Sequence, residues 1–194
     1  MINKSRVEAF SDGVLAIAAT IMALELAIPA GVAWDDFASL WPVIMAFVIS
    51  FFQLYINFYH HNKLFSKIKC VGRHVFILNG LWLLFACLVP FTVRYLGENL
   101  DATLPMLIYL VNLFLWAISF LILDYAILHE NPGVEKEDST DVISRVVYYV
   151  GLLVAGIIAI FLPRISLILI FIVVASEVVI TFFRATKSRD ESCK

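Results

Sequence analysis

Arg6, Phe10, Ser11 and Asp12 form an Arg-x-x-x-Phe-Ser-Asp cluster that runs directly into an apolar stretch reaching Pro29, with one hydroxyl, Thr20, in its interior. Glu8 adds a third charge at the same entrance. Charge beside hydrocarbon is costly and persists mainly where it has a partner or a function. These residue types at the mouth of a membrane helix suit the handling of ions, and they suggest an ion-conducting pore. They do not suit bond-breaking chemistry. The chain has no serine, cysteine or carboxylate constellation arranged for catalysis, so it is expected to be no enzyme and to need no cofactor.

Around 100° per residue, Arg6, Phe10, Gly13, Ile21, Leu24 and Ile28 fall within about 40° of Ile17, and Thr20 within about 60°. Rings of Ile17, Ile21 and Leu24 around an axis would make a hydrophobic constriction with one hydroxyl layer from Thr20; dewetting gates such constrictions, and oxygen rings replace part of an ion's hydration. Ala16, Ala18, Ala19 and Ala23 are small enough to let neighbouring helices approach closely. The same stripe also fits ordinary helix packing, with the Thr20 hydroxyl bonded back to the carbonyl of Ala16. Arg6 and Phe10 are spaced i,i+4, which allows the guanidinium to lie over the ring. Asp12 is about 120° around the helix from Arg6. Ser11 and Asp12 must therefore find partners on other helices or in water, in a network that holds a gate or fixes the bundle.

The elements that position these residues follow from composition. Of 194 residues, 62% are hydrophobic and 15% charged, against about 45–50% and about 25% in soluble domains. The chain is expected to be an all-α integral membrane protein, a multi-pass protein surrounded by lipid. A net charge of −2 implies no nucleic-acid partner. Counting apolar runs of about 20 residues predicts a six-transmembrane-helix bundle, a single domain over 1–194, with spans at 6–29, 37–59, 74–95, 104–128, 142–162 and 165–183. The acidic flank and the length of the first run mark a retained helix rather than a cleaved signal.

Twelve of the 14 Lys and Arg residues fall on one side of this arrangement, leaving Arg94 and Arg164 on the other. That bias places both termini in the cytoplasm. Trp34 and Trp41 then fit an outer aromatic belt, and Glu130 to Asp141 forms a solvated inner loop. The spans show no persuasive internal repeat, and the motif occurs once. One subunit offers few helices around any axis, so a closed cyclic oligomer with the first helix innermost is expected.

Among the remaining polar residues, Glu25 is interfacial, Asp124 can reach cytoplasmic basic residues, and Glu177 is deeper in the sixth span and fits a hydrogen bond to a neighbouring helix. Asn57, Asn79 and Asn112 complete the set. His60 and His61 are adjacent and point about 100° apart on a helix, so one face cannot chelate with both. Cys70, Cys87 and Cys193 are dispersed and lack metal-ligand spacing. No metal site is expected.

Arg6…Phe10-Ser11-Asp12 followed by Gly13 through Thr20 resembles the first-helix signature of the transmembrane protein 175 potassium channels. The resemblance extends through His60-His61 and the stretch from Asn79 to Leu88-Val89-Pro90-Phe91. It implies a potassium-selective, potassium-permeable leak-type ion channel of a prokaryotic-type cell membrane that passes monovalent cations, assembled as a homotetramer because a single six-span unit is similar to the prokaryotic members. It further implies Ile17 as the narrowest layer, Thr20 as the residue of potassium preference, and Leu24 with Ile21 as the outer layer. Arg6, Phe10, Ser11 and Asp12 would serve folding, assembly and gating. Ala19 and Ala23 stand where bulkier apolar residues are common in the family. The chain carries no Thr-Val-Gly-Tyr-Gly filter and no Arg-rich voltage-sensing helix. A proton-coupled or other secondary transporter is the alternative reading, which would usually bring internal repeats and broken helices.

Overall fold

The computed structural model describes residues 3–26, 28–29, 31–131 and 139–192, with side chains omitted for 139–144 and 184–192. Most of the expected inner loop from Glu130 to Asp141 lies outside the described residues, as do Cys193 and Lys194. The elements are all helices: α1 (Lys4–Leu24), α2 (Trp34–Ala38), α3 (Trp41–Ser66), α4 (Arg73–Glu98), α5 (Thr103–Glu130), α6 (Ser139–Phe161) and α7 (Pro163–Ser192). Among the described residues, five segments are long and apolar enough to cross a membrane: α1, α3, α4, α5 and Pro163–Phe183 of α7. The described apolar part of α6, Arg145–Phe161, falls short of that length.

Local chemistry explains the helix ends, and several differ from the sequence expectation. Asn3 starts α1, its Oδ1 accepting the N–H of Ser5 at 3.0 Å, which satisfies a donor the helix cannot pair internally. The first helix ends at Leu24 rather than Pro29, so Ile28 falls outside it. Pro29 disfavours helical backbone at Ile28, and Glu25 instead reaches Arg94 of α4 at 2.7 Å. The second span begins at Trp41, not Phe37, because Trp34–Ala38 forms its own short helix. The Asp36 carboxylate accepts the Ala33 N–H there at 3.0 Å.

That second span also runs past Tyr59 to Ser66, placing His60 and His61 inside α3 rather than after it. His61, Leu64 and Phe65 are buried at helical spacing, so tertiary packing carries the helix onward. Pro163 begins α7 after a one-residue link from α6; its fixed φ and missing N–H suit a first helical position. The Ser166 hydroxyl donates to the Ala155 carbonyl at 2.8 Å and ties this hairpin. α7 continues beyond Phe183 to Ser192.

α4 is the central helix, packed against α5, α1 and α3. α6 pairs with α7 and also meets α5, while α7 returns to α3. Trp82, Trp116, Tyr109 and Phe65 are fully buried and fill the space between α3, α4 and α5. At the α6–α7 contact, a Cβ added to Gly151 would lie 2.7 Å from Cγ2 of Val173 and 3.1 Å from Cγ1. Val173 is buried and β-branched, so it has little freedom to yield. Gly151→Leu should destabilise the hairpin by about 1–3 kcal/mol, read as a lower unfolding midpoint in detergent. An unchanged midpoint would show that the two helices separate there without cost.

Candidate functional site

α1 has two distinct faces. Val7, Ser11, Leu15, Ala18 and Met22 are buried, at the 3.6-residue spacing of one helix face, against α4 and α3. The opposite face carries Arg6, Phe10, Gly13, Ile17, Thr20, Ile21 and Leu24, all exposed in the single chain. Ile17 is 59% exposed and Leu24 84%. A Cβ at Gly13 would touch nothing within 4 Å. Grooves flank this stripe: Ile17 and Ile21 border one with Cys87 and Phe91 of α4, and Arg6 and Phe10 border another with Phe76 and Ile77.

The Thr20 hydroxyl donates to the carbonyl of Ile17 at 2.8 Å, one residue from the Ala16 partner considered in the sequence. Its proton is thereby used within the helix, which leaves oxygen lone pairs for the outer side. An outward hydroxyl with its hydrogen committed presents an acceptor to its surroundings. It suits a cation.

A buried hydrogen-bond chain fixes which face of α1 points outward. The Ser11 hydroxyl donates to the Val7 carbonyl at 2.9 Å and accepts from Nδ2 of Asn79 on α4 at 3.0 Å. Oδ1 of Asn79 lies 2.8 Å from Nε2 of His61 on α3. Because the Asn79 amide nitrogen donates to Ser11, its oxygen accepts, and Nε2 of His61 carries the proton. The imidazole is held between the Phe65 ring, at 4.2 Å and 23°, and the Trp82 ring, at 4.6 Å and 7°. Three helices are thus joined through three polar side chains that are all buried.

Of the four motif residues, Ser11 alone enters this chain. Arg6 and Phe10 face outward, and no contact of the Arg6 guanidinium with the Phe10 ring is present among the described residues. Asp12 is partly buried, and its Oδ1 has no partner among the described residues. Glu8 pairs with Lys4 at 3.5 Å. At the other end of α1, Glu25 meets Arg94 at 2.7 Å, and Arg94 also holds Glu98 at 3.0 Å.

The remaining polar residues divide. Asn57 donates to the Gln53 carbonyl at 2.9 Å and Asn112 to the Phe85 carbonyl at 3.3 Å. Asp124 pairs with Arg145 at 2.8 Å. Glu177, for which a hydrogen bond to a neighbouring helix was expected, has none among the described residues. Sequence reasoning did not single out His61 and Trp82 as the clamp behind Ser11. The available signals were the histidine pair and an asparagine within an apolar span, but neither says which helices meet. Among the described residues, no three His, Cys, Asp or Glu side chains are grouped to hold a metal.

Comparison with known proteins identifies this arrangement. Residues 6–90 match the family described as endosomal/lysosomal potassium channel TMEM175. A potassium channel of Chryseobacterium sp. (strain P1-3) is 36% identical over 126 residues, covering 65% of this chain and 66% of that protein. The fold is similar to the crystal structure of a lysosomal potassium-selective channel TMEM175 homolog from Chamaesiphon minutus, with a TM-score of 0.74 and 27% identity over 89% of this chain and 95% of that one. The chain belongs to the TMEM175 family. A potassium channel of Streptomyces collinus is a further relative, 38% identical over 104 residues, or 52% of this chain and 50% of that protein. The chain thus aligns with about half to two thirds of the length of these curated relatives. The family match begins at Arg6 and ends at Pro90, so it takes in nearly all of α1 together with His61 of α3 and Asn79 of α4, while Arg94 lies beyond it.

Removing the middle of the hydrogen-bond chain should release its neighbours. Asn79→Ala leaves both His61 Nε2 and the Ser11 hydroxyl short of a partner, and it should cost about 1–3 kcal/mol. Ser11→Ala and Asn79→Ala in a double-mutant cycle should couple by at least about 0.5 kcal/mol, measured by unfolding in mixed micelles. Additive effects would mean that the two side chains act independently.

Proposed function

We propose that this TMEM175-family protein is a potassium-permeable channel in which four copies place α1 around a central axis and ions pass along its outward stripe. The observation that carries this reading is the exposed face of α1, which offers Ile17, Ile21 and Leu24 together with the single outward hydroxyl of Thr20. An apolar face left uncovered by its own chain is covered by lipid or by other copies. Lipid alone gives no reason for a hydroxyl in the stripe, whereas a ring of such oxygens replaces part of an ion's hydration shell. The names borne by the Chryseobacterium and Streptomyces relatives and by the Chamaesiphon structure support potassium as the permeant ion.

In this reading the whole chain is one channel domain and α6 is the sixth span, its helix being 23 residues long from Ser139 to Phe161. The Lys and Arg bias puts both termini in the cytoplasm, with the motif end of α1 facing inward and the Glu25–Arg94 pair facing out. Closed cyclic symmetry brings four Ile17 side chains together as the narrowest dry ring, with the Thr20 layer one turn outward and Leu24 beyond it. Arg6 and Phe10 face the neighbouring copy or the inner mouth. Lipid covers the outer surface, and no cofactor takes part.

Reconstituted protein should give single-channel currents, and cross-linking in mild detergent should saturate at four subunits. A stable monomer that conducts would overturn the assembly. Ile17→Asn should raise the leak current several-fold, because a polar amide lowers the dewetting barrier. Thr20→Val keeps the shape but removes the oxygen, so bi-ionic reversal potentials should move toward equal potassium and sodium permeability while current persists. If both variants matched the parent in current and reversal potential, the ion path would lie elsewhere.

A further inference from the structure

Behind α1, on the far side of α3, helices α3, α5, α6 and α7 enclose a polar cavity of about 60 Å³ that the ion path does not use. Glu177 of α7 and Arg145 of α6 both line it. Arg145 donates to Asp124 of α5 at 2.8 Å, so the nearby guanidinium is already paired with one carboxylate. Glu177 has no hydrogen bond or salt bridge of its own among the described residues. An unpaired carboxylate within a membrane-spanning segment is expensive.

Two further groups point to what completes the site. Gln53 of α3 is 3% exposed and Tyr148 of α6 is 4% exposed. Both line the cavity, and neither Oε1 of Gln53 nor the Tyr148 hydroxyl has a partner among the described residues. Buried polar atoms of this kind are nearly always satisfied by protein, water or ion. Thr181 adds a hydroxyl to the same wall. The set is thus one carboxylate without a partner among the described residues and several oxygens, in a space large enough for one or two waters.

We propose that this cavity is a counter-cation site: Glu177 binds one positive charge there, either a proton on its carboxyl or a small monovalent metal ion held with Gln53 and Tyr148. A protonated Glu177 would donate to Oε1 of Gln53. A metal ion would take the carboxylate, the amide oxygen and the phenol oxygen as hard ligands. Both occupants neutralise the Glu177 carboxylate and satisfy the same orphaned atoms. The other ionisable groups facing the cavity are His60 of α3, Arg145, and Tyr149 of α6, with Asp124 behind Arg145. The Tyr149 hydroxyl is committed to the Ala117 carbonyl at 2.9 Å. The inference stands on this cavity alone and does not depend on where the pore runs.

Infrared spectra of the full-length reconstituted protein separate the two occupants. In N-methylglucamine buffer at neutral pH, a proton gives the carbonyl band of a buried carboxylic acid, absent in Glu177→Gln and retained in His60→Gln. A metal ion instead gives calorimetric binding of NaCl or KCl with one site per chain more than Glu177→Gln shows, weakened about tenfold in Gln53→Leu. The difference from Glu177→Gln removes any binding in the pore from the comparison. Should Glu177→Gln not fold, Glu177→Asp must shift the band or weaken the metal site. The proposal is overturned if neither signal depends on residue 177, or if the signal is lost in His60→Gln instead.

Discussion

The fold turns on one requirement, that buried polar groups in an apolar bundle be satisfied by each other. His61, Asn79 and Ser11 meet it as a directional chain in which each side chain donates to the next and the last donates to the Val7 carbonyl. Rotating α1 by one residue would bring Phe10 or Asp12 to the position of Ser11 and leave Asn79 with an unused donor. The rotation of α1 is therefore set by hydrogen bonding more than by hydrophobicity, since both of its faces are largely apolar. The ring stack behind the chain extends the constraint inward: Trp82 lies 6.0 Å from both Trp116 and Phe120 of α5. His61 has no room to turn away.

A second tie makes α1 a fixed stave. Ser11 bonds to Asn79 toward one end of α4, and Glu25 bonds to Arg94 toward the other. At about 1.5 Å per residue, the two anchor points on α1 are about 21 Å apart. Sliding α1 along α4 would break both, and rotation would break the inner one first. The outward residues between the anchors, Ile17, Thr20 and Ile21, therefore keep their height and direction, which the proposed ring of several copies would require. The Glu25–Arg94 pair is partly exposed, and such pairs contribute little energy; its role is positional.

Much of this was legible in the chain itself. Long apolar runs can only become helices where no water is present to satisfy the backbone, so α1, α3, α4, α5 and α7 follow from composition. The stripe from Arg6 to Leu24 emerged from helical periodicity, and those same residues form the exposed face of α1. The helix ends were less legible, because tertiary ties set them: Glu25 leaves the helix for Arg94, and burial of His61 and Phe65 carries α3 to Ser66. The His61–Asn79–Ser11 chain was not legible, since 18 and 68 residues separate its partners and one sequence does not say which helices touch. The unmatched carboxyl of Glu177 was visible as an intramembrane acid, but its isolation from hydrogen bonds needed the packing of four helices.

The same physics sets how the two halves of the bundle respond to substitution. The family match stops at Pro90, yet the structural similarity covers 89% of the chain. Up to α4 the structure is held by polar atoms with fixed directions, and replacing one of them leaves its partner buried and unpaired. Beyond α4 the helices are joined by apolar side chains such as Leu113, Leu123, Leu152 and Ile170, together with polar ties from Arg145 to Asp124, Tyr149 to the Ala117 carbonyl and Ser166 to the Ala155 carbonyl. Apolar cores accept exchanges among Leu, Ile, Val and Met at modest cost when volume is kept. Apolar core positions in α5 to α7 therefore tolerate volume-conserving exchange, whereas a change at Ser11 or Asn79 alters how α1 is turned. Ser11 and Asn79, whose geometry is specified by hydrogen bonds, both lie within the matched stretch.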